Sequence, residues 1–230
     1  MIYCPDHNLL FLEIPKNATT TVSTYLLEKM GGERVNSPVL EGSPGWSSGR
    51  WPHGMEIPPE IPGDATVFTT IRRPLSRAFS IWDHACLRHA SAFGWPDPAH
   101  GDPYPFDQFA WWLARNGPRY DYPRWNASAW HCAQRGMYAA QWELLWHSKV
   151  DVLVRSDHLD EDLVRVGIPK GSIGEIGIMN RGSQMRAREA SADAMGNIDR
   201  WALNDLETLY RGAEKGKSWP RWTEKGEHDE

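Results

Sequence analysis

A lysine and three threonines follow an apolar segment close to the N-terminus. The apolar segment is Leu9 to Ile14, and the loop after it reads Pro15-Lys16-Asn17-Ala18-Thr19-Thr20-Thr21. An ammonium group and several hydroxyl groups can bind an anion such as phosphate, because they supply a positive charge and hydrogen-bond donors. The same residues are also typical of a strand, a turn and a threonine-capped helix that bind no ligand. The loop is therefore a candidate anion site, and its local sequence leaves both interpretations open.

A second cationic segment follows another apolar segment further along the chain. It reads IRRPLSRAFS and contains Arg72, Arg73, Arg77 and Ser80. Guanidinium groups and a hydroxyl can hold a phosphate through charge-assisted hydrogen bonds. Each arginine taken singly is more typical of a solvated surface. A second cationic loop at a neighbouring strand end favours the anion site instead.

The apolar pattern places each cationic segment between a strand and a helix. Strands are predicted before Pro15, at Thr66 to Ile71 and at Val150 to Val154. The predicted helices are Thr20 to Met30, Pro74 to Arg88, Phe106 to Arg115, Ser128 to His147, Leu159 to Val166 and Asp193 to Arg211. This alternation predicts an α/β fold of three layers, with a mostly parallel central sheet flanked by helices. Ligands of such sheets bind beyond the carboxyl ends of the strands, so both cationic segments are expected to line one crevice.

The composition limits the classes of protein and partner. The 230 residues suffice for a single domain, predicted at 1–212, followed by a charged tail at 213–230. The net charge of −5 disfavours nucleic acid or an anionic membrane as a partner but allows a small anionic ligand. Three scattered cysteines make no disulfide framework or zinc motif, and no convincing cluster of metal ligands is found. No apolar run is long enough to span a bilayer, which predicts a soluble, cytoplasmic protein.

The two cationic segments together resemble the nucleotide-binding motifs of the sulfotransferases that use PAPS, 3′-phosphoadenosine 5′-phosphosulfate. PKNATT, from Pro15 to Thr20, resembles the 5′-phosphosulfate loop PKxGTT, and RRPLSRAFS resembles the 3′-phosphate motif RxPxxRxxS. The resemblance implies a P-loop-like sulfotransferase fold, PAPS as the sulfuryl donor, and no metal. It further implies that residues 15–21 hold the 5′ end, that Lys16 is catalytic, and that Arg72 and Ser80 hold the 3′-phosphate.

Weaker matches to the same family lie elsewhere in the chain. His53 precedes the second motif by about the distance of the catalytic histidine in cytosolic members, which implies that it is the base. RGMYA, from Arg135 to Ala139, resembles a helix of carbohydrate-modifying members, and Val152 to Leu163 resembles the segment that follows that helix. Asn180-Arg181-Gly182 is similar to a late loop that closes over the nucleotide, which adds Arg181 and Gly182 to the implied contacts.

The chain departs from the family pattern at several positions. Ala18 replaces the usual loop glycine, a change that the loop tolerates if this position does not require a positive φ. Thr21 stands where cytosolic members place the aromatic residue that stacks on adenine, which leaves Tyr138 or a tryptophan for that role. Arg73 replaces a common aspartate or asparagine, and Trp51 replaces a lysine beside the catalytic histidine. Lys16 is therefore the clearest catalytic cation.

These residues imply in-line transfer of a sulfuryl group to a hydroxyl or amine of a carbohydrate or small-molecule acceptor. Lys16 would stabilise charge on the leaving phosphate. His53, or Glu13 as the alternative, would take the proton of the acceptor. Three loop tryptophans are candidates for acceptor contact, namely Trp46, Trp51 and Trp95.

Two other functions stay open. A P-loop nucleotide kinase is disfavoured because the chain has no GxxxxGK[ST] motif and Lys16 precedes the threonines by three residues rather than one. A non-catalytic nucleotide- or carbohydrate-binding module on the same fold is compatible with Ala18 and with the missing adenine aromatic. The acceptor and the oligomeric state are not determined by the sequence.

Overall fold

The computed structural model describes residues 1–35, 57–90, 95–96, 99, 101, 104–116, 138, 140–145, 149–176, 190–203 and 205–214. These residues form a five-stranded sheet with helices packed on it, which confirms the predicted α/β class. The strands are β1 (Ile2–Cys4), β2 (Leu9–Leu12), β3 (Glu33–Arg34), β4 (Thr66–Ile71) and β5 (Val152–Arg155). Their order across the sheet is β3-β1-β2-β4-β5.

The sheet is mixed, whereas the sequence predicted a mostly parallel one. β2, β4 and β5 run parallel, but β1 is antiparallel to both of its neighbours, β2 and β3. β1 connects to β2 through a 3₁₀ turn at Pro5–His7, followed by Asn8 in a left-handed conformation. A connection this short joins antiparallel strands, because a parallel crossover needs about a dozen residues or more. The three residues of β1 carry too little periodicity to be recognised as a strand from the sequence.

The helices of the described ranges are α1 (Thr19–Lys29), α2 (Pro74–Trp82), α3 (Phe106–Asn116), α4 (Gln141–Leu145), α5 (Leu159–Asp162), α6 (Ser172–Ile176), α7 (Ala192–Trp201) and α8 (Arg211–Glu214). α2 continues into a π-helical turn at Asp83–Arg88, and another π-helical segment, Asp205–Tyr210, precedes α8. The final predicted helix is thus divided, because the backbone leaves the helical conformation at Ala202. None of these helices is both long and apolar enough to cross a membrane.

Side chains of the central strand β2 alternate between two buried faces. Leu10 and Leu12 pack with residues of α4 and α8 on one face, and Leu9 and Phe11 pack with α1, α5 and α6 on the other. The rings of Phe11 and Phe68 stack across β2 and β4 with their centroids 5.0 Å apart. Each fully buried side chain of this kind contributes about 1.5–3 kcal/mol. Core packing therefore holds the carboxyl ends of β2 and β4 in place for the loops that follow them.

A separate apolar cluster joins α2, α3 and α7. Phe79 of α2 stacks on Phe106 of α3 with ring centroids 3.7 Å apart, and Trp201 of α7 belongs to the same cluster. Close packing of this kind leaves little freedom for a helix to shift. The cluster thereby fixes the orientation of α2 and of the arginines at its start.

Candidate functional site

The loop after β2 and the segment after β4 lie side by side at the carboxyl edge of the sheet. β2 and β4 are parallel neighbours, with Leu12 paired to Thr69. Arg72 Nη1 donates a hydrogen bond to the carbonyl oxygen of Lys16 at 3.3 Å. The structure thus brings the two cationic segments together at the position where open α/β sheets bind ligands.

The backbone of the first loop is left-handed at two residues. Lys16 has a φ of 70° and Ala18 a φ of 62°. A residue with a side chain adopts this conformation at a cost of roughly 1–2 kcal/mol. Position 18 therefore does require a positive φ, and alanine occupies it under strain. Strain of this kind is often retained at binding sites, where the backbone shape is needed for contact with a ligand.

The first turn of α1 presents open backbone donors. Ala18 precedes the helix without a side-chain cap. Within the described part of the chain, no acceptor reaches the N–H groups of Thr19 and Thr20. Thr20 is exposed and Thr19 half-buried, whereas Thr21 is buried with its hydroxyl oxygen unpartnered among the described residues. An anion at this end would meet open N–H groups and the positive end of the helix dipole.

Two arginines hold the loop by consecutive carbonyl oxygens. Arg77 Nε donates to the carbonyl oxygen of Pro15 at 3.3 Å, next to the bond from Arg72 to Lys16. Arg77 is fully buried, and its guanidinium lies 5.5 Å from the centre of the Trp201 ring. The interpretation of the three arginines as a solvated face is therefore wrong for Arg77. Arg73 alone of the three is exposed, and it pairs with Asp157 at 3.2 Å.

The side chain of Asn17 is turned into the protein. Its Nδ2 donates to the carbonyl oxygen of Thr70 at 2.8 Å and to Gln141 Oε1 at 2.6 Å. Its Oδ1 has no partner within the described ranges. Nδ2 is therefore occupied, and the predicted contact of Asn17 with a nucleotide could be made only by its backbone or by Oδ1. Gln141 was not predicted as a site residue, since no local pattern distinguishes it within an amphipathic helix.

The ammonium group of Lys16 lies in an electropositive and partly buried environment. Burial lowers the pKa of Lys16 to about 8, Asp83 opposes that shift, and the charges of Arg88, Arg72 and Arg77 add to it. Among the described residues, no side chain makes a hydrogen bond or ion pair with Lys16 Nζ. Arg88 itself pairs with Asp83 at 2.8 Å. The site therefore favours an added anion, which would stabilise the charged form of Lys16.

The π-helical turn after α2 adds a histidine that the sequence did not single out. Burial, followed by the charges of Lys16, His89 and Arg88, lowers the pKa of His84 to about 4, against a smaller opposing effect of Asp83. The His84 and His89 rings lie edge to face with centroids 4.5 Å apart. His84 is therefore neutral at pH 7. A π-helical turn is frequent at functional sites, but the apolar pattern of Pro74 to Arg88 gave no sign of it.

Among the described residues, three groups donate hydrogen bonds to Glu13. Its carboxylate accepts hydrogen bonds from the N-terminal ammonium at 3.0 Å, from Ser23 Oγ at 2.6 Å and from Arg34 Nη1 at 3.3 Å. Burial alone would raise the pKa of Glu13, but the N-terminal ammonium, Ser23 and Arg34 outweigh it and lower the pKa. A carboxylate held in this way is a weak proton acceptor, which disfavours Glu13 as the base.

The remaining predicted residues fall in different places. Ser80 is half-buried on α2 and makes no side-chain hydrogen bond with any described residue. Tyr138 is buried in the aromatic cluster of α3 and α7, where its hydroxyl accepts a hydrogen bond from Trp95 Nε1 at 2.9 Å. Burial raises the pKa of Tyr138 to about 12. The other predicted positions lie outside the described residues, namely Trp46, Trp51, His53, Arg181 and Gly182.

Comparison of the chain with protein-family models, curated proteins and solved structures finds no match. In the described part of the chain, no group of three or more His, Cys, Asp or Glu side chains is placed to hold a metal ion. Function is therefore inferred from the residues of the site.

Proposed function

We propose that this protein is a PAPS-dependent sulfotransferase that transfers a sulfuryl group to a hydroxyl or amine of a carbohydrate or small-molecule acceptor. One observation carries the proposal. The loop that resembles the 5′-phosphosulfate motif and the segment that resembles the 3′-phosphate motif are joined by the bond from Arg72 to the Lys16 carbonyl. A nucleotide with phosphate groups at its 5′ and 3′ positions would contact both segments at once, so their adjacency supports a single ligand that spans them.

The residues of the site fit such a donor. The open N–H groups of Thr19 and Thr20 and the charge of Lys16 suit the 5′ end, and Arg72 with Ser80 suits the 3′-phosphate. PAPS, when bound, supplies the activated sulfuryl group. Lys16 stabilises the negative charge that develops on the leaving phosphate, and the open N–H groups of Thr19 and Thr20 donate to the same 5′ end.

Two histidines are candidates for the base. His53 has the sequence context of the family base. His84 has a neutral ring in the electrostatic field of Lys16, but its lowered pKa makes it a weaker proton acceptor than an ordinary histidine. His53→Ala and His84→Ala should be compared for turnover and for affinity toward adenosine 3′,5′-bisphosphate. The base is the residue whose removal abolishes turnover and leaves that affinity unchanged.

Calorimetric titration tests the proposal through two ligands that differ by one phosphate. The wild-type protein should bind adenosine 3′,5′-bisphosphate more tightly than adenosine 5′-monophosphate, with no need for Mg²⁺. Arg72→Ala should weaken bisphosphate binding by about 10- to 100-fold, since a charge-assisted contact contributes about 1.5–3 kcal/mol. It should weaken monophosphate binding less, because that ligand loses only the support that Arg72 gives the loop through the Lys16 carbonyl. Lys16→Ala should weaken the binding of both ligands, because both carry the 5′-phosphate.

Matched controls use exposed cations that lie away from the site. Lys29→Ala changes the far end of α1, and Arg115→Ala changes the surface of α3, where the guanidinium covers Trp111. Both variants should bind like the wild type. Equal affinity of the wild type for the two ligands, or a preference for ATP with Mg²⁺, would overturn the proposal. Tight binding without sulfate transfer to any of a panel of acceptors would favour the non-catalytic module.

A further inference from the structure

Gln141, the first residue of α4, connects the two cationic segments. Its Oε1 accepts hydrogen bonds from Asn17 Nδ2 at 2.6 Å and from the Arg72 backbone N–H at 2.7 Å. Its Nε2 donates to the Arg72 carbonyl oxygen at 2.8 Å and to Asp205 Oδ2 at 2.9 Å. The side chain is 1% exposed, and all four of its hydrogen-bonding positions are occupied.

The network around Gln141 is fixed at both ends. Asn17 also bonds the carbonyl oxygen of Thr70, which belongs to β4, and so ties the first loop to the second strand. Asp205, fully buried, accepts a further bond from the Gln141 backbone N–H at 2.9 Å. The amide of Gln141 is thereby held in one orientation, with its oxygen toward Asn17 and its nitrogen toward Asp205. An amide supplies both an acceptor and a donor, and neither a carboxylate nor an apolar side chain reproduces this set.

We propose that Gln141 is a positioning residue that sets the spacing between the loop of Lys16 and the backbone of Arg72, and so determines how well one ligand reaches both anion sites. This inference rests on the proposed function. A nucleoside bisphosphate has a limited range of distances between its phosphates. A small shift of one segment therefore weakens the binding of a ligand that spans both segments. A ligand with a single phosphate is insensitive to the spacing, because it uses one segment only.

The test compares three ligands in the wild type and in Gln141→Met, which conserves volume and removes the hydrogen bonds. The ligands are adenosine 3′,5′-bisphosphate, adenosine 5′-monophosphate and adenosine 3′-monophosphate, and the measurement is the dissociation constant by calorimetry. We expect bisphosphate affinity to fall about tenfold, while affinity for each monophosphate changes by less than about twofold. If Gln141→Met does not fold, Asp205→Ala gives a second test, since it removes the carboxylate oxygen that accepts both bonds from the Gln141 amide and backbone N–H.

Two controls separate positioning from loss of stability. Leu144→Ala removes a buried side chain from the same helix without touching the polar network, and Gln108→Met makes the same change at an exposed position of α3. Both should keep the wild-type preference for the bisphosphate. An equal loss for all three ligands in Gln141→Met, or the same loss in Leu144→Ala, would overturn the inference. A wild-type protein with no preference for the bisphosphate would instead overturn the proposed function, and the inference with it.

Discussion

The two strand and helix units that form the site present their binding groups in different ways. β2 leads into a loop with left-handed Lys16 and Ala18 and then into α1, which has no side-chain cap. β4 leads through an extended Arg73 into Pro74, the first residue of α2. Proline suits this helical position because its missing N–H would have had no partner there. The first unit therefore offers backbone donors, whereas the second offers the guanidinium group of Arg72.

This difference predicts where each unit is sensitive to mutation. In the first unit, the shape of the backbone is held from outside by Arg72, Arg77 and Asn17. In the second unit, the helix axis is held by apolar packing against α3 and α7. A substitution that changes charge and one that changes backbone shape should therefore have separable effects on turnover and on stability.

Lys16→Ala should give the largest effect. Removal of a preorganised charge beside the leaving group lowers a rate by about 10²- to 10³-fold. The measurement is the rate of adenosine 3′,5′-bisphosphate release from PAPS in a single turnover with an accepted acceptor. Lys29→Ala, at the exposed end of α1, should turn over like the wild type. A rate close to that of the wild type for Lys16→Ala would remove Lys16 from the chemistry.

Arg77→Ala should be the most destabilising of the arginine substitutions. It leaves the Pro15 carbonyl oxygen without its donor and creates a cavity beside Trp201, which together cost about 3 kcal/mol in the free energy of unfolding. Arg73→Ala, at an exposed ion pair, should cost less than about 1 kcal/mol. Urea unfolding of both variants makes the comparison. Similar values for the two would contradict a structural role specific to Arg77.

Lys16→Met should stabilise the protein while it weakens ligand binding. The pKa of Lys16 is lowered from 10.5 to about 8 in the folded state, so the unfolded chain binds the proton more tightly between these two pH values. Stability contributed by this group is therefore lowest below pH 8 and rises as the pH increases toward 10.5. The methionine variant should gain about 2 kcal/mol at pH 7 and show a flatter pH profile. Urea unfolding at pH 7 and pH 10 measures the gain in stability and its pH dependence. An unchanged stability of Lys16→Met at pH 7 would contradict a destabilising buried charge at Lys16.

Ala18→Gly should have the smallest effect. Relief of the left-handed conformation gains about 1–2 kcal/mol, and the added freedom of glycine in the unfolded chain offsets about 0.5–1 kcal/mol of it. A net gain of about 0.5 kcal/mol is expected in urea unfolding. Ala18→Val should change stability in the opposite direction, since a branched side chain tolerates positive φ poorly. Loss of stability in the glycine variant would contradict strain at this position.

The features that could be predicted from the sequence are those with local signals. α1 and α3 agree with their predicted ranges to within a residue, because each has an apolar stripe at helical spacing and clear end signals. The meeting of Lys16 and Arg72 followed from two parallel strands with cationic segments at their ends. β1 was missed because it is too short for periodicity, and its antiparallel pairing makes the sheet mixed.

The burial of Arg77 and the role of Gln141 had no local signal. Arg77 sits four residues after an exposed arginine, and its burial depends on Trp201 and Pro15, which are distant in the sequence. Gln141 acts on Asn17 and Arg72, which are 124 and 69 positions away. Polar contacts over such separations depend on the packing of several elements at once, so residue type and spacing do not predict them.

The sequence by itself determined the α/β class, the two strand ends that carry cations, and the motif resemblance on which the sulfotransferase proposal rests, because these depend on short-range periodicity and residue chemistry. Tertiary structure alone decided the left-handed strain at Ala18, the lowered pKa of Lys16, and the Gln141 network between the two segments. Each of these is produced by burial and by neighbours from remote parts of the chain, which enter the site only when the sheet and its helices pack together.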